Sequence, residues 1–343
     1  MGEPRDNPWD QRVYLSDIQA LYETEAEKSL NGDYRYTEDL THKSRLRYHV
    51  SNFNKEFESE IQLRAVKYHW QVNDSDDNND GSGILNWIYN TWNSHRGSEP
   101  RHDTPRSLKR KLVREQTDSW ETKAQLYIQR VEEAIKACND YLFEFTCKDP
   151  KLRQNIREKM EAREIQAFEA ARAELQNIFS DRDYIDSWNP LLDILTNDHQ
   201  HTRVERQVNQ ERQLQKKNKE SQENSSEVPS DEVSVRQQFY ENNKRVYEVH
   251  DWLYAFWQVS YPRFVDNVII QVVERHLLGM YGPLRLFNQK WIMQLNDDEL
   301  WELVGENEET RDARKELKER LEGLKDALKR TDMALHWNRN FRI

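Results

Sequence analysis

Glycine and proline are scarce here, at nine each in 343 residues, and there are only two cysteines. Few glycines leave little scope for a loop that wraps a phosphate, because only glycine lets backbone N–H groups come that close. No G-x-x-x-x-G-K-[ST] and no G-x-G-x-x-G occurs; Gly81 and Gly83 are followed by Asn86 where a third glycine would stand. Cys138 and Cys147 match no zinc or redox spacing and are expected to be small buried residues in a reducing compartment. No run of 18 apolar residues is present, and "MGEPRDNPWD" has no apolar signal core. The expectation is a cytoplasmic protein that neither is secreted nor spans a membrane.

Positive charge is in deficit as well. The net charge of -11 argues against a general nucleic-acid partner, since phosphate contact needs a cationic surface. Hydrophobic residues make up only 36% and charged residues 33%. The balance, rich in Glu, Lys, Arg, Gln and Leu, favours long helices over a compact sphere. The expected fold class is all-α, an elongated antiparallel helical bundle.

Sites for chemistry are also missing. Asp76-x-Asn78-x-Asp80-Gly81 resembles half of a calcium loop, but the position that needs a bidentate carboxylate is Trp87. His199 and His201 stand two apart, so on a helix they point to different sides. No cofactor, metal or catalytic residue is expected.

What is present is helical periodicity. Val13, Leu15, Ile18, Leu21 and Tyr22 predict a helix over 8–30, stopped by Asn31-Gly32. Leu46, Val50, Phe53, Phe57, Ile61 and Ala65 predict another over 41–70. Residues 73–83 read as a flexible break and 84–92 as a short amphipathic helix. Thr104-Pro105 reads as an N-cap with proline at the first helical position, opening a long helix to about Cys147. Asp149-Pro150 restarts a helix to about Asn177, with further helix after Trp188. Residues 203–235 lose their large apolar side chains and read as a helix extension at the start that ends as an unstructured linker.

From Val246 to Gly279 lies the most apolar stretch of the chain. Val246, Val249, Leu253, Phe256, Trp257, Phe264, Val268, Val272 and Leu277 form one stripe, broadened by Tyr254, Val265 and Ile269. So wide a stripe predicts a central helix whose partners are the stripes at 41–70 and 105–180. Pro262 should kink it. A short helix at "QLNDDELWELVGE" and a last one over 307–335 follow. In the last, Leu317, Leu321, Leu324 and Leu328 are spaced four, three, four, a heptad-like seam that calls for a partner, either another polypeptide or the chain's own bundle.

From Val246 onward the chain resembles the GTPase effector domain of the dynamin superfamily. The residues that carry the likeness are Arg263-Phe264-Val265-Asp266-Asn267, the "DDELWELVGE" turn and the "RKELKERLEGL" helix. Fungal dynamin-like and Mx-like members are similar. Upstream, "YLSDIQALYETEAEKSLNGDY" is similar to a stalk helix. "HRGSEPR", with Arg96, Gly97 and Glu99, is similar to the family's R-G-x-E-L-P-G loop, though its leucine and second glycine are missing after Glu99, where Pro100 and Arg101 stand. The resemblance implies a partial stalk over 1–202, a stalk-tip loop over 203–235 and an effector domain over 236–343. The family's G domain has no counterpart in these residues.

The likeness implies a non-catalytic protein that self-assembles or co-assembles with full-length dynamin-like GTPases in membrane remodelling. An alternative expectation is a fragment of such a GTPase whose G domain lies upstream. Because the effector helix normally joins two helices beside the G domain, the Leu317–Leu328 seam is expected to be open to a partner. Lys216, Lys217 and Lys219 in the tip loop are the candidates for peripheral membrane contact, each worth roughly 1 kcal/mol against an anionic leaflet.

Overall fold

A computed structural model describes residues 5, 7–34, 39–70, 83–95, 104–182, 184–185, 187–222, 231–305 and 308–340. Among them the chain is all-α and no strand occurs. The helices are α1 (Pro8–Asn31), α2 (Leu46–Leu63), α3 (Ile84–His95), α4 (Arg106–Gln116), α5 (Ser119–Thr146) and α6 (Pro150–Asp181). They continue as α7 (Leu191–Gln222), α8 (Asp231–Asn267), α9 (Gln289–Gln294), α10 (Asp297–Val304) and α11 (Glu308–Asn340). A π-helix, Val268–Leu277, follows α8, and a 3-10 turn spans Pro283–Arg285. No described helix is long and apolar enough to cross a membrane.

The chain forms two compact units. One contains residues 1–45, 136–165 and 283–343; the other contains 46–135 and 166–282.

The first unit is a helical bundle. Asn7 caps α1 by accepting from the Asp10 amide, and Pro8 opens the helix, where its missing N–H costs nothing. Gly32 ends it at φ 83°, a left-handed conformation that glycine adopts without a Cβ clash. Leu15, Ile18, Tyr22, Ala26 and Leu30 are buried. Val13 and Leu21 are exposed, contrary to the periodicity, because the packed face is narrower than the apolar one. Tyr22, Phe143, Phe287 and Trp291 form an aromatic chain with centroids 4.7 to 5.6 Å apart. The Arg12 guanidinium donates to the Leu295 carbonyl at 2.7 Å, tying α1 to the end of α9. α10 opens with a capping box: Asn296 Oδ1 accepts from the Glu299 amide and Glu299 Oε2 accepts from the Asn296 amide.

In the second unit α8 is the centre, packed by α2, α3, α4 and α7. Val246, Val249, Leu253, Phe256, Trp257, Phe264, Val268, Val272 and Leu277 are all buried, as the stripe predicts. Phe264 meets Phe57 of α2, Trp120 of α5 and Phe179 of α6, so its partners come from the expected stretches. α8 runs through Pro262. Beyond Asn267 the helix widens to fifth-residue bonding, with the Leu278 amide donating to the Val273 carbonyl at 2.9 Å. Val268, Val273 and Leu278, five apart, are all buried on this wider turn. Gly279 ends it where a Cβ would lie 2.2 Å from the Arg275 carbonyl oxygen, so no larger residue fits unshifted.

Several boundaries differ from the periodicity. The expected 105–147 helix is two, α4 and α5. Thr117 turns its hydroxyl back onto the Val113 carbonyl, and the Arg182 guanidinium takes the Thr117 carbonyl at 3.0 Å. Pro105 occupies the cap position of α4 without a side-chain cap, rather than the first helical turn behind Thr104. The helix expected over 41–70 is confined to α2. Past Leu63 the backbone is claimed by distant side chains: Trp120 Nε1 donates to the Ala65 carbonyl, and the Gln116 amide both accepts from the Tyr68 N–H and donates to its carbonyl. Asp149 does cap α6, accepting from the Lys151 and Leu152 amides. Finally, the helix extension expected after Arg203 runs to Gln222 within α7, and Asp231 already begins α8, where the unstructured end of the 203–235 linker was expected. Gln, Glu, Lys and Arg are good helix formers even where no apolar face exists. Residues 223–230 lie outside the described residues.

Candidate functional site

α11 is built from residues with high helix propensity: Glu, Lys, Arg, Ala and Leu fill most of it. The four, three, four spacing puts Leu317, Leu321, Leu324 and Leu328 on one narrow strip. All four are exposed, at 54, 52, 67 and 67%. A single exposed leucine is ordinary, but four on one strip make a continuous apolar patch. Burying a leucine fully is worth about 1.5–3 kcal/mol, so the strip carries several kcal/mol of unused association energy. No stretch of the described chain covers it.

The other predicted contact residues stand differently. Arg96, Gly97 and Glu99 lie outside the described residues, as does the acidic stretch through Asp80 and Gly81. Lys216, Lys217 and Lys219 belong to the helical backbone of α7. Trp87, the residue that breaks the calcium pattern, is buried and donates its indole N–H to Glu115 at 3.1 Å. His199 hydrogen-bonds Gln258 at 2.8 Å and stacks on Tyr254, whereas His201 is exposed. The two imidazoles face different surroundings.

Both cysteines are free and buried. Burial pushes the Cys138 thiol up to about 12 and raises that of Cys147. Neither is a poised thiolate at neutral pH.

Two buried polar arrangements had no signal in the sequence, because their members lie far apart along the chain. In the first unit Tyr22 Oη donates to Asn139 Oδ1, and Asn139 Nδ2 donates to Glu164 Oε1. Burial raises the Tyr22 phenol well above its usual range and raises the Glu164 carboxyl too, with Arg157 opposing. In the second unit Arg203 Nε donates to Asp251 Oδ2 at 2.9 Å, with both side chains largely shielded. Such networks fix helix register when every member is satisfied.

A cavity of about 50 Å³ lies in the second unit among Trp120, Ile178, Arg182, Leu253, Trp257 and Phe264. It has room for a water or two but not for a cofactor. Trp257 Nε1 and Arg182 Nε, both on residues that line it, are buried without protein partners, a natural demand for water there. The one hydroxyl of the lining that belongs to a serine, Ser260, donates to the Phe256 carbonyl.

No family model matches the chain, and no curated protein matches it.

Proposed function

We propose that this protein acts by contact rather than catalysis, as a stalk-and-effector-type helical protein similar to dynamin-superfamily members. In this reading it self-assembles or co-assembles with dynamin-like GTPases and holds no nucleotide itself. The observation that carries it is the open Leu317–Leu328 strip on a helix whose sequence resembles the effector helix of that family. Phe264, one of the residues that carry the likeness, is buried within α8 of the second unit. Contact with a membrane surface through Lys216, Lys217 and Lys219, and a role in membrane remodelling, belong to the same reading.

The test is co-sedimentation of the 343-residue chain with a full-length dynamin-like GTPase, beside the double variant Leu321→Asp, Leu324→Asp. Wild type should pellet with the GTPase or change its sedimentation coefficient alone, and the double variant should do neither while keeping its helical circular dichroism. A strictly monomeric wild type that ignores the GTPase would end this reading, as would saturable micromolar GTP binding by the chain alone.

A further inference from the structure

The strip on α11 has a charge signature of its own. With Leu321 and Leu328 as one line of the seam and Leu317 and Leu324 as the other, the positions beside the seam fall at Lys318 and Lys325 on one edge and Arg320 on the other. The remaining edge position in this stretch is Ala327. Acidic side chains are not rare in α11, but Glu319, Glu322 and Asp326 fall on the outward positions. Lys315, Lys329 and Arg330 also stand on outward positions, but between Leu317 and Leu328 the only charges on edge positions are cations and the only charges on outward positions are acids. Lys318, Arg320 and Lys325 are exposed and make no ion pair among the described residues.

A second copy of α11 is a poor match for that edge. In a parallel pair, the edge position of one helix meets the edge position five residues later on the other, so Arg320 would face Lys325 of the second copy. In an antiparallel pair, like edges meet, so lysine would face lysine. Either arrangement brings cations together beside an apolar seam, where low local dielectric strengthens the repulsion. Opposite charges in the same places would attract instead.

We infer that the α11 seam docks an amphipathic helix of another polypeptide, with an apolar seam of its own flanked by aspartate or glutamate. This rests on reading α11 as a docking helix and adds the chemistry of what docks. Affinity would come from the leucines and selectivity from the three cations, so the choice among partners should weaken as salt screens the edge charges.

Two synthetic 28-residue helices with identical leucine seams test it, one with glutamate and one with lysine at every edge position. Fluorescence anisotropy against the full chain should show the glutamate peptide binding about tenfold or more tightly at low ionic strength. The ratio should shrink toward one near molar salt. The triple variant Lys318→Glu, Arg320→Glu, Lys325→Glu should reverse the preference, and Leu321→Asp with Leu324→Asp should abolish binding of both peptides. Equal affinity for the two peptides, or binding of neither, would overturn the inference. So would a homodimer of the chain that the double aspartate variant dissolves, which would assign the seam to a second copy. Failure to co-sediment with a GTPase leaves the peptide preference standing, and loss of the preference leaves co-sedimentation standing, so the two results separate.

Discussion

Tyr22 donates its phenolic proton to Asn139 across 2.5 Å, although 117 positions separate them in the chain. Asn139 passes the contact on, its amide nitrogen donating to Glu164 Oε1. The amide is satisfied at both ends by neighbours on two other helices, so α1, α5 and α6 are locked in one register in the first unit. An aspartate at 139 could not serve both roles: ionised, it accepts from Tyr22 but has no N–H for Glu164.

Glu164 makes stability pH-dependent in a defined direction. Burial is the largest influence on its carboxyl and raises its pKa, against the pull of Arg157. The folded state therefore holds the proton more tightly than the unfolded chain does. Between the unfolded value, roughly 4.3, and the higher folded one, unfolding releases a proton, so this group's contribution falls as pH rises. Glu164→Gln keeps an oxygen for the Asn139 amide and removes the charge. The variant should melt higher than wild type at pH 7, with the gap closing as pH falls below about 4. A gap that widens on acidification would show that the carboxylate, not the acid, is the favoured buried form.

Phe264 should be among the costliest single truncations in the second unit. Its ring is 8% exposed and lies 4.8 Å from Trp120, 5.7 Å from Phe179 and 6.2 Å from Phe57. It also lines the existing cavity, which the truncation would enlarge. Phe264→Ala is expected to cost about 3–5 kcal/mol, read as a fall in the urea midpoint with an unchanged slope. An unchanged midpoint would contradict the packing around this ring.

The stripes that run through one helix were legible from spacing alone. Phe57, Ile61, Leu253 and Phe264 are buried as their three-and-four rhythm requires, because burial along a helix is a local repeat. The breaks were not. Thr117 interrupts what reads as one helix because the Arg182 guanidinium donates to the Thr117 carbonyl and the Lys67 amide donates to the Gln116 carbonyl, and those donors belong to other stretches of chain. The extension of helix past Arg203 was legible from composition, because Gln, Glu and Lys form helices without an apolar face, whereas its reach to Gln222 was not marked by any stop signal. The π-helix left one trace, the longer step in the stripe between Val272 and Leu277. The seam on α11 was visible in the sequence, but its exposure depends on what every other segment leaves uncovered. The edge cations become meaningful only once that exposure is known.

Gly323 offers a direct handle on that helix. It sits between Leu321 and Leu324, near the middle of α11, where glycine is the poorest ordinary residue because it keeps the most backbone freedom when unfolded. A Cβ built there meets nothing within 4 Å, so alanine adds no clash. It also lies off the leucine strip, so the seam is untouched. Gly323→Ala should therefore stabilise α11 locally by about 1 kcal/mol. Hydrogen exchange of the amides around Leu321–Leu328 should slow roughly fivefold, the equivalent of that energy, while amides around Phe264 are unaffected. Binding of an acidic-flanked helix should tighten, because less disorder is lost on docking. If exchange slows and binding weakens, the seam must bend at Gly323 to receive its partner, and a straight α11 is not the bound form.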